Sequence, residues 1–366
     1  MRESQRICLA ASLLAVLLAP GARADEPRVL NVYNWADYIG PTTIADFEAE
    51  TGIRINYDTY TSSEMVEAKL LAGSTGYDVI FHAGDYAARL IPLGTFLPLD
   101  HAKLSSWKYL DPDLLRTMAG YDEGNRYSAP YMWGSTGFAY DVEKIRERMP
   151  DAPVDSAAML FDPEVIAKFA DCGVSFLDSP ADVLGMALVY LGQDPNSTDP
   201  EQIARAEETV RRVHSNVRYY DSARMLIDLP NREICIAMSW SGDYATARRR
   251  AAEAGLAMEL AYSVPREGSL FWYDGMYIPS DAPHPDEAHR FIDFILRPRV
   301  IAAITNEVNY ANAVAASREY IDPAVLDDPA VYPPRPVLAR LRLTYALPPK
   351  AQRMRTRAFA RAKSGL

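Results

Sequence analysis

The segment from Tyr33 to Tyr38 places two large aromatic rings around a carboxylate at the end of a short apolar run. Trp35 and Tyr38 bracket Asp37, and Ala36 lies between the first ring and the acid. Aromatic faces attract an ammonium group by about 0.5–2 kcal/mol each, and a desolvated carboxylate adds a charge-assisted hydrogen bond of roughly 1.5–3 kcal/mol. The combination is typical of a site for an organic cation. On its own it is weak, because an aromatic residue at a strand end is more often part of the core.

The same chemistry recurs in three later segments, Ser239-Trp240-Ser241-Gly242-Asp243, Phe271-Trp272-Tyr273-Asp274 and Tyr310-Ala311-Asn312. In the first, an Asp follows the Trp by three residues at the end of a buried run; in the second, by two residues. Each segment alone is equally consistent with core packing or a solvated turn. Four such clusters in one chain favour a ligand site.

The first 24 residues have the pattern of a secretory leader, with a positive start, the apolar run Ile7–Ala19 and a small-x-small cleavage site at residues 22–24. We therefore expect cleavage near Ala24 and an exported mature chain. No later apolar run approaches the roughly 18 residues of a membrane helix, so we expect a soluble protein. Loss of the leader changes the formal net charge from −11 to about −13. This acidic excess favours cationic ligands and argues against nucleic acid as a partner.

Two cysteines remain after cleavage, Cys172 and Cys235. An even pair in an exported chain predicts a disulfide, and two buried thiols are the alternative. Closing a loop of about 60 residues would stabilise the fold by roughly 4 kcal/mol, because the bond restricts the unfolded chain.

The elements that position these residues begin with an alternation of strands and helices. Apolar patterning predicts strands over Val29–Tyr33, Ile53–Tyr57 and Tyr77–Phe81, with helices from about Pro41 to Gly52 and over Ser63–Leu71. Such alternation predicts an α/β fold with a mostly parallel sheet flanked by helices, and such sheets bind ligands at the carboxyl ends of their strands. Trp35 lies at such an end. About 340 residues after cleavage exceed one compact core, which predicts two lobes.

Later in the chain, aromatic-rich extended segments suited to crossing between lobes are predicted over Tyr131–Tyr140 and Trp272–Pro279. Buried strands of a second lobe are predicted over Cys172–Leu177 and Ile234–Trp240, and a helix over Pro285–Leu296. The basic segment Gln352–Lys363 predicts an amphipathic helix docked on the acidic body. A membrane or partner contact is its alternative.

With these segments in view, the sequence resembles the periplasmic polyamine-binding proteins of ABC importers, most closely the putrescine-binding type, from about Val29 to Gly365. The matching stretches are Tyr33–Tyr38, Ala72–Gly76, Ala129–Trp133, Cys172–Asp178, Trp240–Asp243 and Tyr310–Asn312. The resemblance implies a two-lobed, type II periplasmic-binding-protein fold that closes around a linear diamine or polyamine and delivers it to an inner-membrane permease. It implies a monomer, with one lobe of residues 25–132 plus 259–305 and the other of residues 133–258 plus 306–366.

The resemblance also assigns a ligand site. Its aromatic walls fall on Trp35, Tyr38, Trp240, Trp272 and Tyr310, its acidic anchors on Asp37, Asp182, Asp243 and Asp274, and a polar contact on Ser222. In such a site the rings pack against the methylene chain, while the carboxylates accept hydrogen bonds from the ammonium groups. The family's disulfide matches Cys172 and Cys235.

The sequence departs from this family pattern at four positions. Ala36 replaces a usual Ser or Thr, Trp272 replaces a usual Phe, and Asp182 replaces a usual Glu, which shortens one acidic side chain by a methylene. Asp85, close to His82, lies where relatives carry Ser or Tyr and resembles a determinant of ligand choice. Its carboxylate could favour a longer amine or a guanidinium. The alternative is a solvated or helix-capping Asp.

Other functions have less support from the sequence. The five His residues show no zinc spacing, and we find neither a G-x-S-x-G turn nor a phosphate-binding glycine loop. We therefore expect no enzyme, no metal site and no cofactor. Tyr219-Tyr220 could ligate ferric ion, although tyrosine pairs on strands are commonly packing, and a sugar site would combine its rings with neutral donors. A sensor that presents its closed form to a signalling receptor is the remaining alternative.

Overall fold

A computed structural model of the protein describes residues 28–365, so the predicted leader lies outside the described residues. The strands are β1 (Val29–Trp35), β2 (Arg54–Tyr60), β3 (Val79–Ala83), β4 (Ser128–Asp141), β5 (Val174–Phe176), β6 (Tyr219–Tyr220), β7 (Ile236–Trp240), β8 (Leu260–Ser263), β9 (Ser269–Tyr277), β10 (Ala311–Asn312) and β11 (Leu341–Leu343).

The α-helices are α1 (Thr43–Thr51), α2 (Ser63–Ala72), α3 (Gly84–Leu90), α4 (Pro112–Met118), α5 (Val142–Arg148), α6 (Ala158–Phe161), α7 (Pro163–Ile166), α8 (Pro180–Tyr190), α9 (Pro200–Val213), α10 (Met225–Asp228), α11 (Ser241–Glu253), α12 (Pro285–Ile295), α13 (Pro298–Val308), α14 (Pro323–Leu326), α15 (Arg335–Leu338) and α16 (Pro349–Ser364). Short 3₁₀ turns cover Ile91–Leu93, His101–Lys103, Ser105–Tyr109, Glu123–Asn125, Ala167–Phe169, His214–Asn216 and Ala315–Tyr320. None of the described helices is long and apolar enough to cross a membrane.

The strands form a mixed sheet in the order β2-β1-β3-β9-β4-β7-β5-β6, with β8 and β10 paired to β4 and β11 paired to β9. On one side, β1 pairs in parallel with β2 and β3, and on the other β5 pairs in parallel with β6 and β7. The central strands β9 and β4 are antiparallel to each other and to their neighbours β3 and β7. The predicted parallel pairing therefore describes each outer part, while the two strands between them run in opposite directions.

Strand β4 joins the two parts of the sheet. Its residues 128–135 pair with β9, and its residues 136–141 pair with β7 and β8. All but one of its residues are buried, which explains why the sequence is apolar and aromatic without alternation. The change of partner after Ser135 fits an α/β fold of two lobes joined by crossing strands.

The predicted elements are all present, with ends shifted by up to three residues. Helix α1 ends at Gly52, as predicted, because that residue takes the left-handed conformation (φ 68°) that a glycine adopts without strain. Strand β3 starts two residues later than predicted. The reason is that Asp78 is fully buried and turns its carboxylate to the backbone N–H of Asn31 at 2.7 Å, which fixes the chain before the strand begins.

The terminal helix α16 is docked on the body, as predicted. Phe359 is buried against Tyr220, with ring centroids 5.8 Å apart. Arg361 forms an ion pair with Glu207 at 2.6 Å, and Lys363 forms one with Asp178 at 2.8 Å. The basic face of this helix thus finds acidic partners within the chain, which leaves the membrane alternative without structural support.

The predicted disulfide between Cys172 and Cys235 is confirmed, with Cα atoms 5.5 Å apart. It joins Cys172, two residues before β5, to Cys235, directly before β7, and these two strands pair in parallel. The bond therefore ties together neighbouring strands of the second lobe.

Candidate functional site

A buried asparagine shapes the loop after β1. The side-chain amide of Asn34 donates to the carbonyl of Tyr38 at 3.0 Å and to the Tyr57 hydroxyl at 2.9 Å, and its carbonyl accepts from the N–H of Trp35 at 2.8 Å. The Tyr131 hydroxyl also donates to the Tyr38 carbonyl, at 2.7 Å. These bonds hold the backbone in a fixed turn, so the first aromatic and acidic cluster is positioned before any ligand binds.

This loop lines a cavity of about 270 Å³ between the two parts of the sheet. The volume is near the lower end of the range of about 300–1,000 Å³ typical of small-molecule sites. All twelve residues predicted for the site line it: Trp35, Ala36, Asp37, Tyr38, Asp85, Asp182, Ser222, Trp240, Asp243, Trp272, Asp274 and Tyr310. The structure therefore brings together residues that are up to 275 positions apart in the chain.

The aromatic residues of the cavity form a continuous wall of edge contacts. Trp240 packs against Trp272 with centroids 6.4 Å apart, Trp272 against Tyr310 at 5.4 Å, and Tyr310 against Tyr38 at 5.5 Å. The close approach of Tyr310 requires Gly242, because a Cβ at that position would lie 2.4 Å from the ring. Edge contacts fix the rings and leave surfaces that can cover a ligand.

Asp182 is the most strongly bonded carboxylate of the cavity. It accepts from the Thr136 hydroxyl at 2.6 Å, from the Ser179 hydroxyl at 2.6 Å and from the indole N–H of Trp240 at 3.2 Å. Ser179 is the N-terminal cap of α8, because its hydroxyl also accepts from the Asp182 N–H at 3.3 Å. Asp182 thus lies in the first turn of α8 and on the cavity wall.

Three other carboxylates of the cavity are held where water cannot fully solvate them. Burial raises the pKa of Asp243 to about 6, although the Tyr310 hydroxyl donates a hydrogen bond of 2.7 Å that favours the ionised carboxylate. Burial raises the pKa of Asp274 to about 7 and that of Asp85 to about 6. Raised carboxylate pKa values mean that the ionised site lacks solvation and counter-charge, which a bound cation would supply.

Asp37 differs from the other acids because its side chain is 83% exposed. It lies opposite Arg250, with 4.0 Å between carboxylate and guanidinium. Arg250 is on α11, which follows β7, whereas Asp37 follows β1 on the other side of the sheet. The pair therefore spans the mouth of the cavity.

The geometry agrees with the comparisons to known proteins. Residues 42–333 match the family described as bacterial extracellular solute-binding protein. The chain belongs to this family. This solute-binding protein is 42% identical over 359 residues to the putrescine-binding periplasmic protein PotF of Escherichia coli, covering 98% of this chain and 96% of the relative. It is 40% identical over 367 residues to the putrescine/agmatine-binding protein of Pseudomonas aeruginosa, covering 99% and 100%.

A solved structure supports the same placement. The spermidine/putrescine ABC transporter substrate-binding protein PotD from Streptococcus pneumoniae superposes with a TM-score of 0.77 at 25% identity, covering 92% of this chain and 99% of that one. The predicted two-lobed fold and the predicted family are therefore confirmed. The family binds solutes, which agrees with the expectation that the protein is not an enzyme, and none of these relatives is described as a sensor.

Two further expectations concern metals. Among residues 28–365, no group of three or more His, Cys, Asp or Glu side chains is arranged to hold a metal ion. Tyr220 packs its ring edge-on against Phe176 and Phe359, and Tyr219 lies under the guanidinium of Arg224 at 4.6 Å. The tyrosine pair is thus used in packing, and the ferric alternative gains no support from the structure.

The solute-binding protein also has cavity residues that the sequence did not reveal, among them Tyr60, Glu64, Tyr86, Thr246 and Arg250. Two of these had a readable signal. Asp243, Thr246 and Arg250 follow at spacings of three and four residues, which places them on one face of α11. Tyr60 and Tyr86 also lie beside acidic residues, since Tyr60 ends the stretch Tyr57-Asp58-Thr59-Tyr60 and Tyr86 directly follows Asp85. The sheet order then brings both rings to the cavity.

Proposed function

We propose that this protein is a periplasmic solute-binding protein that captures an aliphatic polyamine, with putrescine as the expected ligand, and delivers it to an inner-membrane ABC permease. The observation that carries the proposal is the charge of the cavity. Seven carboxylates line it, against the single cationic side chain of Arg250. Seven aromatic rings complete the wall. An organic cation with an apolar chain is the ligand that such a lining recognises.

The carboxylates bind the charged ends of the ligand, and the aromatic rings pack against its apolar chain. Asp182 and Asp243 lie on different helices and accept hydrogen bonds from the two terminal ammonium groups. Trp240, Trp272 and Tyr310 cover the methylene chain between them. A sugar would need neutral donors and acceptors in place of this excess of acids, and an anion would be repelled.

Closure of the lobes follows from the position of the site. A ligand that touches residues on both sides of the sheet favours the closed state by its additional contacts. The ion pair between Asp37 and Arg250 adds a contact across the mouth in that state. The crossing strands β4 and β9 are the hinge in this proposal.

The lobe boundaries at 132/133, 258/259 and 305/306 remain proposals. Strand β8 pairs with residues 138–141 of β4, which favours a second boundary after Ser263 instead of before residue 259. Strand β10 pairs with Trp133 and Met132, which favours a third boundary later than residue 306.

The location of the protein follows from the proposed transport role. Its relatives are described as periplasmic, and the leader predicted over residues 1–24 would direct export. Cleavage near Ala24 and a monomeric state are part of the proposal. Mass spectrometry of the secreted chain and sedimentation of the purified protein test these two points.

Calorimetric titration tests the proposed ligand class. The mature protein, freed of co-purified ligand by unfolding and refolding, is titrated with putrescine, cadaverine, agmatine, spermidine and spermine, and with glucose and ferric citrate as controls. We expect micromolar or tighter binding of one or more amines and no heat from the controls. Silence with every amine would refute the proposal.

A further inference from the structure

Helix α11 contacts distant parts of the chain through a run of arginines. The helix belongs to the lobe of β7 and β8, because it follows β7 and its Tyr244 hydroxyl donates to the Leu260 carbonyl of β8 at 3.2 Å. Three consecutive residues in its last two turns, Arg248, Arg249 and Arg250, each form an ion pair with a different acid. The pair of Arg250 spans the cavity mouth, whereas the other two lie elsewhere.

Arg249 binds the end of helix α13 by two contacts. Its guanidinium donates to the Glu307 carboxylate at 3.1 Å and to the Glu307 carbonyl at 3.0 Å. Glu307 lies in the last turn of α13, which ends at Val308. Carbonyl groups at a helix C-terminus carry partial negative charge, so a guanidinium is favourable there. The contact therefore combines an ion pair with a hydrogen bond to the end of the helix.

Helix α13 belongs to the lobe of β1. Arg297, directly before the helix, forms an ion pair with Glu50 of α1 at 2.7 Å, and α1 follows β1. A Cβ added to Gly40, in the loop after β1, would lie 3.4 Å from Ile304 of α13. The pair of Arg249 and Glu307 therefore joins the two lobes.

This pair lies outside the ligand cavity. Neither Arg249 nor Glu307 is among the described residues that line it, and their side chains are 35% and 40% exposed. Tyr310, three residues after Glu307, does line the cavity, and its hydroxyl donates to Asp243 at the start of α11. The end of α13 is thus joined to α11 twice, once at the ligand cavity and once at the surface.

Arg248 makes a further contact with the same side. It forms an ion pair at 2.7 Å with Asp328, whose side chain is 3% exposed. Asp328 lies in the segment after α13, and that segment is bonded to the helix through Asn306, whose carbonyl oxygen accepts from the Asp322 N–H at 2.9 Å. Loss of Arg248 would leave a buried carboxylate without its counter-charge and destabilise the fold itself. Arg249, with its partly exposed partner, is therefore the better residue to test.

We propose that the pair of Arg249 and Glu307 is a latch, which forms when the lobes close and slows their reopening, so that it prolongs the residence of the ligand without contacting it. The inference rests on the proposed function, because capture of a polyamine requires the lobes to close around it. Hinge motion that separates α11 from α13 must break the pair. A contact made only in the closed state favours that state whichever ligand lies inside.

Arg249→Gln tests the latch, because it removes the charge and keeps a polar side chain. Putrescine, cadaverine and spermidine are titrated by calorimetry into the parent and the variant, and dissociation is followed by stopped-flow tryptophan fluorescence. We expect every amine that the parent binds to bind the variant about two- to fivefold more weakly, the effect of a partly exposed ion pair. The factor should be the same for each amine and should appear in the dissociation rate.

Two further variants sharpen the test. Arg249→Gln combined with Glu307→Gln should lose no more affinity than Arg249→Gln alone, because the two side chains act through each other. The matched control is Arg297→Gln, which breaks an arginine–glutamate pair of similar exposure, 41% and 49%, within one lobe. It should leave affinity and dissociation rate unchanged.

The ligand-free protein separates a latch from a structural contact. Parent and Arg249→Gln should unfold at the same temperature without ligand, because open lobes do not make the pair. A lower unfolding temperature with an unchanged dissociation rate would make the pair a structural contact and overturn the latch.

Other results would also overturn it. Parental affinity in Arg249→Gln would show that the pair does not favour closure, and a loss that differed between amines would place Arg249 at the ligand. Failure of the parent protein to bind any amine would instead refute the proposed function and the latch with it. Binding by the parent therefore distinguishes the two failures.

Discussion

Replacement of Asp243 by Asn removes the charge of one proposed terminal anchor with little change in shape. The Tyr310 hydroxyl, which donates to Asp243 at 2.7 Å, can donate equally to the amide oxygen of Asn, so the aromatic wall should stay in place. The loss is one charge-assisted hydrogen bond to an ammonium, about 1.5–3 kcal/mol. This corresponds to binding of putrescine that is about 10- to 150-fold weaker.

The stability of the ligand-free variant separates this effect from misfolding. Burial raises the pKa of Asp243 to about 6, so its ionised form destabilises the empty protein above that pH. The neutral amide removes this cost, and Asp243→Asn should unfold at an equal or higher temperature than the parent at pH 8. Affinity is measured by calorimetry and stability by thermal unfolding followed by circular dichroism.

The control for this experiment is Asp113→Asn, whose carboxylate is 81% exposed and pairs with Arg116 on the surface. It should leave both affinity and stability unchanged, since exposed ion pairs contribute little. Binding of putrescine by Asp243→Asn within twofold of the parent would refute the assignment of Asp243 as an anchor.

Three further predictions use the same assays. Trp240→Ala should weaken amine binding at least tenfold with the ligand-free fold intact, because the ring covers the ligand chain. If the variant bound the amine as tightly as the parent, Trp240 would not be part of the ligand site. Amine affinity should fall from pH 8 to pH 5 as Asp274 and Asp85 take up protons, with their pKa values raised to about 7 and 6. Over the same range the ligand-free protein should gain stability toward acid pH, because its folded state binds protons that the unfolded chain does not. Amine affinity that did not change with pH would contradict the first expectation, and stability that did not change would contradict the second. Cys172→Ser combined with Cys235→Ser should lower the free energy of unfolding by up to about 4 kcal/mol and leave affinity unchanged; an unchanged midpoint in denaturant would count against it.

Local patterns predicted much of the fold. The helix stop at Gly52 and the strand leading to Trp35 depend on nearby residues, so they could be read from the sequence. The antiparallel course of β4 and β9 could not, because an apolar extended segment does not show the direction of its partner. That direction depends on pairings such as Ala83 with Asp274, which are 191 positions apart.

In the candidate site, too, some features can be read from neighbouring residues in the sequence and others depend on residues far apart in the chain. Trp240 and Asp243 form a visible cluster because strand end and helix start are adjacent in the chain. The three donors to Asp182 come from Thr136, Ser179 and Trp240. Only Ser179, three residues away at the N-terminal cap of α8, is a local partner, whereas Thr136 and Trp240 are 46 and 58 positions away. The partner of Asp37 was missed as well, because Arg250 reaches it across the cavity mouth from the other side of the sheet.

The most direct test of the proposed site is a crystal structure of the complex that forms when putrescine is added to protein freed of co-purified ligand. We predict electron density for the diamine in the cavity, with its nitrogens within hydrogen-bond distance of the Asp182 and Asp243 carboxylates and its methylene groups against Trp240 and Trp272. Density for putrescine elsewhere, or an empty cavity at saturating putrescine, would contradict the site and the function built on it.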